Sequence, residues 1–82
     1  MRVKGTATNL AGGQTKFVDD SAVWVFNTGS AQEVTVRNAA DDGAVGTIYV
    51  GAGAGIVVTL GTGEGLRGAS TLKGTAIVAA GF

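Results

Sequence analysis

Residues 63–68 read Gly63-Glu64-Gly65-Leu66-Arg67-Gly68, and this glycine spacing is that of a phosphate-binding loop. In such a loop the glycines let the backbone approach a pyrophosphate at the start of a helix, and an acid about 20 residues further on binds the ribose. Fourteen residues follow Gly68; they read as a strand and contain no acid. The motif therefore indicates a glycine-rich loop rather than a nucleotide site.

Two pairs of neighbouring carboxylates, Asp19-Asp20 and Asp41-Asp42, are the other residues that could do chemistry. Glycoside hydrolysis uses two carboxylates that flank a sugar in a cleft, and hard cations bind carboxylate oxygens in loops. Both pairs lie in segments typical of turns, and Asp42-Gly43 is itself a turn dipeptide. We therefore expect solvated turns, with no metal and no cofactor.

The chain contains neither histidine nor cysteine. It therefore has no Ser-His-Asp triad, no cysteine nucleophile, no imidazole base, and no zinc or haem site built from these ligands. Six Lys and Arg balance six Asp and Glu, so no overall positive field attracts nucleic acid. We expect a protein that is not an enzyme and that binds no small-molecule substrate and no nucleic acid.

A protein partner could be contacted by Arg2, Lys4, Leu66, Arg67 and Phe82. Arg2 and Lys4 share one side of a terminal strand, where they would contact nucleic acid or an acidic protein surface or, equally, keep a sheet edge solvated. Leu66 is the large apolar residue of the glycine-rich segment, and Arg67 follows it. Phe82 would dock on a neighbour or pack into its own core.

These residues must be positioned by strands, because Val and Thr are abundant and the fifteen glycines leave no stretch with a helical pattern. A loop is expected at residues 61–68 and a hairpin turn at residues 27–30. The predicted strands cover residues 3–8, 14–18, 22–26, 31–37, 45–50, 55–60 and 72–79. About seven short strands predict one all-β domain over residues 1–82, a small antiparallel β-sandwich or barrel.

Alternation predicts the buried faces. Residues 22–26 are apolar on both faces, which indicates a central strand covered on both sides, with Trp24 and Phe26 on one face and Val23 and Val25 on the other. We expect Trp24 to be the main core residue; the alternative is that it stacks on a sugar. In residues 31–37, Val34 and Val36 should face inward.

Assembly with other chains is the expected source of extra stability, because 82 residues form only a small core and no disulfide or His/Cys metal site can reinforce it. The first residues do not resemble a signal peptide, and no apolar run reaches the roughly 18 residues of a membrane span. We therefore expect no membrane partner.

Four segments resemble the strands of small β-sandwich structural proteins of tailed bacteriophages, especially head-decoration (capsid cement) proteins. These segments are residues 34–38, 46–50, 55–60 and 74–78, and the resemblance covers about residues 22–82. It implies a virion protein that binds the major capsid protein and copies of itself on the capsid surface, after synthesis in the host cytoplasm. In that family an N-terminal arm often contacts the lattice, here residues 1–4.

Two alternatives remain open at this stage. The chain could be a β-module of a phage tail, fibre or baseplate, since composition does not separate this role from head decoration. It could also be a module that binds carbohydrate on a cell surface through Trp24 or Tyr49.

Overall fold

The computed structural model describes residues 2–17 and 22–78, which form strands, turns and loops and contain no helix. The prediction of an all-β antiparallel fold is confirmed. Nine short strands take the place of the predicted seven or so. They are β1 (Arg2–Val3), β2 (Thr8–Asn9), β3 (Thr15–Lys16), β4 (Ala22–Asn27), β5 (Gln32–Arg37), β6 (Ala44–Val50), β7 (Gly55–Thr59), β8 (Gly65–Arg67) and β9 (Leu72–Val78).

The strands form two antiparallel sheets packed face to face as a small β-sandwich. The five-stranded sheet has the order β1-β9-β4-β7, with β2 also paired to β9. The four-stranded sheet has the order β3-β8-β5-β6. The principal extents are 31 × 29 × 18 Å, and the shortest of them suits two layers whose backbones lie about 10 Å apart.

The core between the sheets consists of aliphatic side chains from both layers. Val34 is fully buried and Val36 packs against the core, so the predicted inner face of this segment is confirmed. The buried cluster comprises Leu10, Val23, Val25, Val34, Val50, Leu66 and Leu72.

Strand β4 is central, as predicted, because it pairs with β9 on one side and β7 on the other, but the predicted cover on both of its faces is wrong. Val23 and Val25 are fully buried between the sheets, whereas Trp24 is half-buried and Phe26 is 37% exposed. The prediction that Trp24 is the main core residue is therefore wrong. Asn27 shares the inner face, where it binds buried backbone, and the two-residue period of a strand then directs Trp24 outward.

One flank of the sandwich is closed by the chain itself at Leu10. The Leu10 amide donates to the carbonyl of Leu72 in the five-stranded sheet, at 3.1 Å. The Leu10 carbonyl accepts from the Gly68 amide, which follows β8 of the four-stranded sheet, at 2.8 Å. Since the Leu10 side chain is also fully buried, this residue links the two sheets through both backbone and core.

Three predicted local features differ from the structure. Residues 27–30 do not form a hairpin turn, because β4 and β5 lie in different sheets. The predicted strand over residues 3–8 is two strands: Val3 and Thr8 are five positions apart, but their partners Ile77 and Gly74 are three apart, so the chain bulges. The segment predicted as a loop at residues 61–68 contains β8, which pairs with β3 and β5.

Replacing Leu10 by alanine should leave a cavity at the closed flank. We expect Leu10→Ala to lower the free energy of unfolding by about 2–5 kcal/mol, measured by chemical denaturation. Val3→Ala is the control, since Val3 is 63% exposed and its truncation should cost less than about 0.5 kcal/mol. Equal losses in the two variants would contradict the role given to Leu10.

Candidate functional site

The flank opposite Leu10 is open, and we define it as strands β6 and β7 with their link, residues 51–54. Strand β6 is the edge of the four-stranded sheet and β7 is the edge of the five-stranded sheet. Within residues 2–17 and 22–78, β6 pairs only with β5 and β7 only with β4. Each strand of the open flank therefore presents one row of backbone amides and carbonyls without a partner strand in the described chain.

Strand β6 is exposed on both faces. Val45 is 59% and Tyr49 69% exposed on the outer face, and Ile48 is 48% exposed although it faces inward beside Val34. An inward-facing isoleucine stays so exposed only where the opposite sheet does not cover it. Strand β6 therefore extends past the cover of the five-stranded sheet at Ile48.

The usual protection of an edge strand is weak in β6. Natural edges carry charged residues, proline or bulges that discourage pairing with other chains. Strand β6 has the sequence AVGTIYV, which contains no charge and no proline. It has one bulge at Val45, where the register with β5 shifts, and the strand from Gly46 to Val50 is regular. This edge is a favourable template for main-chain pairing.

Asn27 fixes the far end of the open flank to the rest of the sandwich. Its side-chain amide donates to the carbonyls of Val50, at 2.9 Å, and Ser30, at 2.7 Å, and its Oδ1 accepts from the Gly29 amide at 3.0 Å. Its backbone exchanges two hydrogen bonds with the link at residues 53–54. Because Asn27 is fully buried, these bonds hold the last residue of β6 against the end of β4.

The link at residues 51–54 is a tight turn that takes the chain from one sheet to the other. The Ala54 amide donates to the Gly51 carbonyl at 3.0 Å. Gly53 has a φ of +69°, a conformation that glycine adopts without strain. The turn keeps β6 and β7 on the same side of the molecule, and its geometry does not depend on any partner.

The loop between β5 and β6 explains the carboxylates Asp41 and Asp42. Arg37 forms an ion pair with Asp41, Nε to Oδ1 at 2.9 Å, and donates to its backbone carbonyl at 3.0 Å. The Asn38 side chain exchanges hydrogen bonds with Asp42, at 2.7 and 3.1 Å. Both acids are exposed and form part of an ordered turn. The Asp19-Asp20 pair lies outside the described residues.

Residues 61–68 do not form a phosphate cradle. The Gly61 amide donates to the Glu64 carboxylate at 2.6 Å, and the Glu64 amide donates to the Gly61 carbonyl at 3.1 Å. A tight turn therefore leads straight into strand β8. The acid of the motif accepts from the backbone of its own turn, and a strand occupies the place of the helix that a phosphate site requires.

The candidate interface residues do not gather at one place. Arg2 lies in β1, and exposed Lys4 follows it with its backbone amide on the Ala76 carbonyl. Arg67 is exposed on β8 of the other sheet. Leu66 is fully buried in the core, so its assignment to an interface is corrected: the inner face of β8 holds it between the sheets. Phe82 lies outside the described residues.

The outer face of the five-stranded sheet carries the aromatic residues of β4. The Trp24 indole lies over Gly55, where a Cβ would stand 2.3 Å from the indole Cζ2, so the ring packs on the bare backbone of β7. Phe26 pairs in register with Lys73, whose ammonium donates to the Asn9 side chain. This arrangement is a half-covered aromatic pair beside polar groups.

Comparisons with known proteins identify no relative of this chain. No protein-family model matches the chain, and no curated protein and no solved structure matches it. Residues 2–17 and 22–78 include no helix with the length and apolarity needed to cross a bilayer. The same residues contain no group of three or more acidic, histidine or cysteine side chains placed to hold a metal ion.

Sequence reasoning placed Leu66 at the surface, but the structure buries it. It also missed two important features, the uncharged edge strand β6 and the buried Asn27. The absence of charge in residues 44–50 was a readable signal, because an edge strand without charge is unusual. The burial of Asn27 had no local signal, since an Asn-Thr-Gly-Ser sequence is typical of an exposed turn.

Asn27 provides a test of how β6 is anchored. In Asn27→Asp the carboxylate still accepts from Gly29 but cannot donate to the carbonyls of Val50 and Ser30, and a charge is buried. We expect the free energy of unfolding to fall by about 2–4 kcal/mol, measured by denaturant titration. Asn9→Ala, at an exposed position, is the control and should cost under about 1 kcal/mol. A neutral Asn27→Asp would show that the anchor is unimportant.

Proposed function

We propose that this chain is a non-enzymatic structural protein that acts by binding other protein chains through the open flank. The observation that carries the proposal is strand β6: seven residues without charge, six of them exposed, at an edge of the four-stranded sheet to which residues 2–17 and 22–78 supply no further strand. Main-chain pairing at such an edge supplies affinity, and exposed apolar side chains such as Tyr49 add buried area.

The most specific form of the proposal is a decoration protein of a tailed-phage capsid that binds the major capsid protein. It is supported by the likeness of residues 34–38, 46–50, 55–60 and 74–78 to such proteins, and by the small β-sandwich fold. Many copies of a small module can stabilise a shell, because each bound copy favours the assembled state by mass action. Strand β1, which carries Arg2, lies on the opposite flank from β6 and would contact the lattice.

A capsid-binding assay tests this function. We expect the purified chain to bind mature capsids that lack it and to raise their resistance to heat and osmotic shock. Tyr49→Asp should weaken that binding by about 2 kcal/mol, roughly 30-fold in Kd, because it places a charge in the contact strand. The control Ser70→Asp adds the same charge at an exposed position in the turn before β9, away from β1 and β6, and should bind as the parent does.

Failure of the chain to bind capsids, or undiminished resistance of capsids without it, would remove the basis of the capsid role. Equal binding by Tyr49→Asp and the parent chain would instead leave capsid binding in place and exclude the open flank as the contact.

The number of copies per particle separates head decoration from a tail role. Quantitative mass spectrometry of purified particles should give hundreds of copies for a shell protein but at most a few dozen for a tail, fibre or baseplate module.

A carbohydrate-binding role, which the outward position of Trp24 and Phe26 would serve, requires that glycans change the Trp24 fluorescence. A Trp24 emission that no glycan changes counts against it.

A further inference from the structure

We propose that the partner of strand β6 is a second copy of this chain, whose β6 pairs with it antiparallel about a twofold axis at Thr47. The two four-stranded sheets then become one continuous eight-stranded sheet. This inference rests on the proposed function: the second copy occupies β6, and the capsid lattice is contacted by β1 of each copy, so a change that separates the copies also weakens capsid binding. It follows from the sequence of β6, the exposure of its side chains and its position in the sandwich.

The sequence of β6 is complementary to itself in this register. Residues directly opposite in an antiparallel pair lie on the same face, so the axis must pass through a residue and not between two residues. With the axis at Thr47 the five residues from Val45 to Tyr49 find partners, whereas the bulge at Val45 places Ala44 on a different face from Val50, so these two do not pair. Tyr49 then lies opposite Val45 of the second copy. Ile48 lies opposite Gly46, where no atom stands within 4 Å of the place that a Cβ would take.

These pairs are of the kinds that stabilise antiparallel sheets. An aromatic residue opposite a β-branched one and two threonines opposite each other each contribute about 0.2–1 kcal/mol. On the inner face, the bare backbone at Gly46 leaves room for Ile48, whose side chain is 48% exposed in the single copy. The pairing therefore covers the three exposed apolar residues of β6 in one step.

Charge and shape permit the approach of a second copy. The formal net charge is zero and β6 carries no charged residue, so two copies meet without electrostatic repulsion at the contact. Because β6 extends past the cover of the five-stranded sheet at Ile48, the Ile48 side chain is open to a second copy. A twofold contact of this kind closes at two copies and does not propagate into a fibre.

Thr47 and Thr59 form a matched pair for the test, because both are exposed threonines in the edge strands of the open flank. Thr47→Lys places two ammonium groups opposite each other at the axis, whereas Thr59→Lys changes β7. We expect the parent chain and Thr59→Lys to have twice the monomer mass by light scattering. Thr47→Lys should weaken the dimer by on the order of tenfold or more in Kd. Unchanged Trp24 fluorescence shows that each variant is folded.

Disulfide trapping tests the register, and the chain has no other cysteine. Opposite residues of an antiparallel pair have Cα atoms about 4.5–5.5 Å apart, within the range of a disulfide. We expect Thr47→Cys to form a covalent dimer under mild oxidation and Thr59→Cys to form none. Cross-linking through Thr59→Cys, or a dimer that Thr47→Lys leaves intact, would overturn the proposal.

The outcomes keep this inference apart from the proposed function. A chain that stays monomeric at millimolar concentration, yet binds capsids in a Tyr49-dependent way, overturns the twofold contact and leaves the function standing. A dimer that Thr47→Lys disrupts, together with no binding to capsids, supports the twofold contact and removes the capsid role.

Discussion

The two backbone hydrogen bonds of Leu10, one from its amide and one to its carbonyl, determine how this sandwich is closed. A chain that pairs with β9 through β2 and with β8 through β3 must pass from one sheet to the other, and it does so at Leu10, whose amide and carbonyl bond to opposite sheets. Because the Leu10 side chain also fills the core, water is kept out on that flank. The sandwich then has one flank where nothing comparable crosses within the described residues.

The open flank is held in place without being covered. Asn27 bonds the carbonyl of Val50 and the link at residues 53–54, so β6 ends at a fixed point of the core. From there the strand runs past the opposite sheet with Ile48 and Tyr49 exposed. A rigid edge loses little conformational entropy on pairing, and this makes it a better contact for another chain than a mobile segment would be.

Much of the fold could be predicted from the sequence, and the errors have physical causes. Alternation in residues 31–37 gave the inner face correctly, because a strand with one buried face has a period of two. Sheet membership could not be predicted, since the passage from β4 to β5 depends on Asn27 bonding to Val50, 23 positions away. Leu66 was assigned to the surface because three residues among glycines give no strand signal until β5 pairs with them.

Strand β6, the proposed contact strand, was not identified by sequence reasoning. That reasoning expected assembly with other chains, and it placed the candidate contacts at Arg2, Lys4, Leu66, Arg67 and Phe82. Which strands are edges follows from pairing between distant segments, and a single sequence does not display that pairing. Once the strand order is known, the lack of charge in β6 becomes the informative property.

Amide hydrogen exchange of the β6 backbone, followed from dilute to concentrated protein, tests most directly whether this edge receives another chain. The account predicts that the β6 amides facing away from β5 exchange quickly in dilute solution and become protected as concentration rises, while amides of β9 stay protected throughout. Rapid exchange in β6 at every concentration, or new protection confined to β1 and β2, would contradict it.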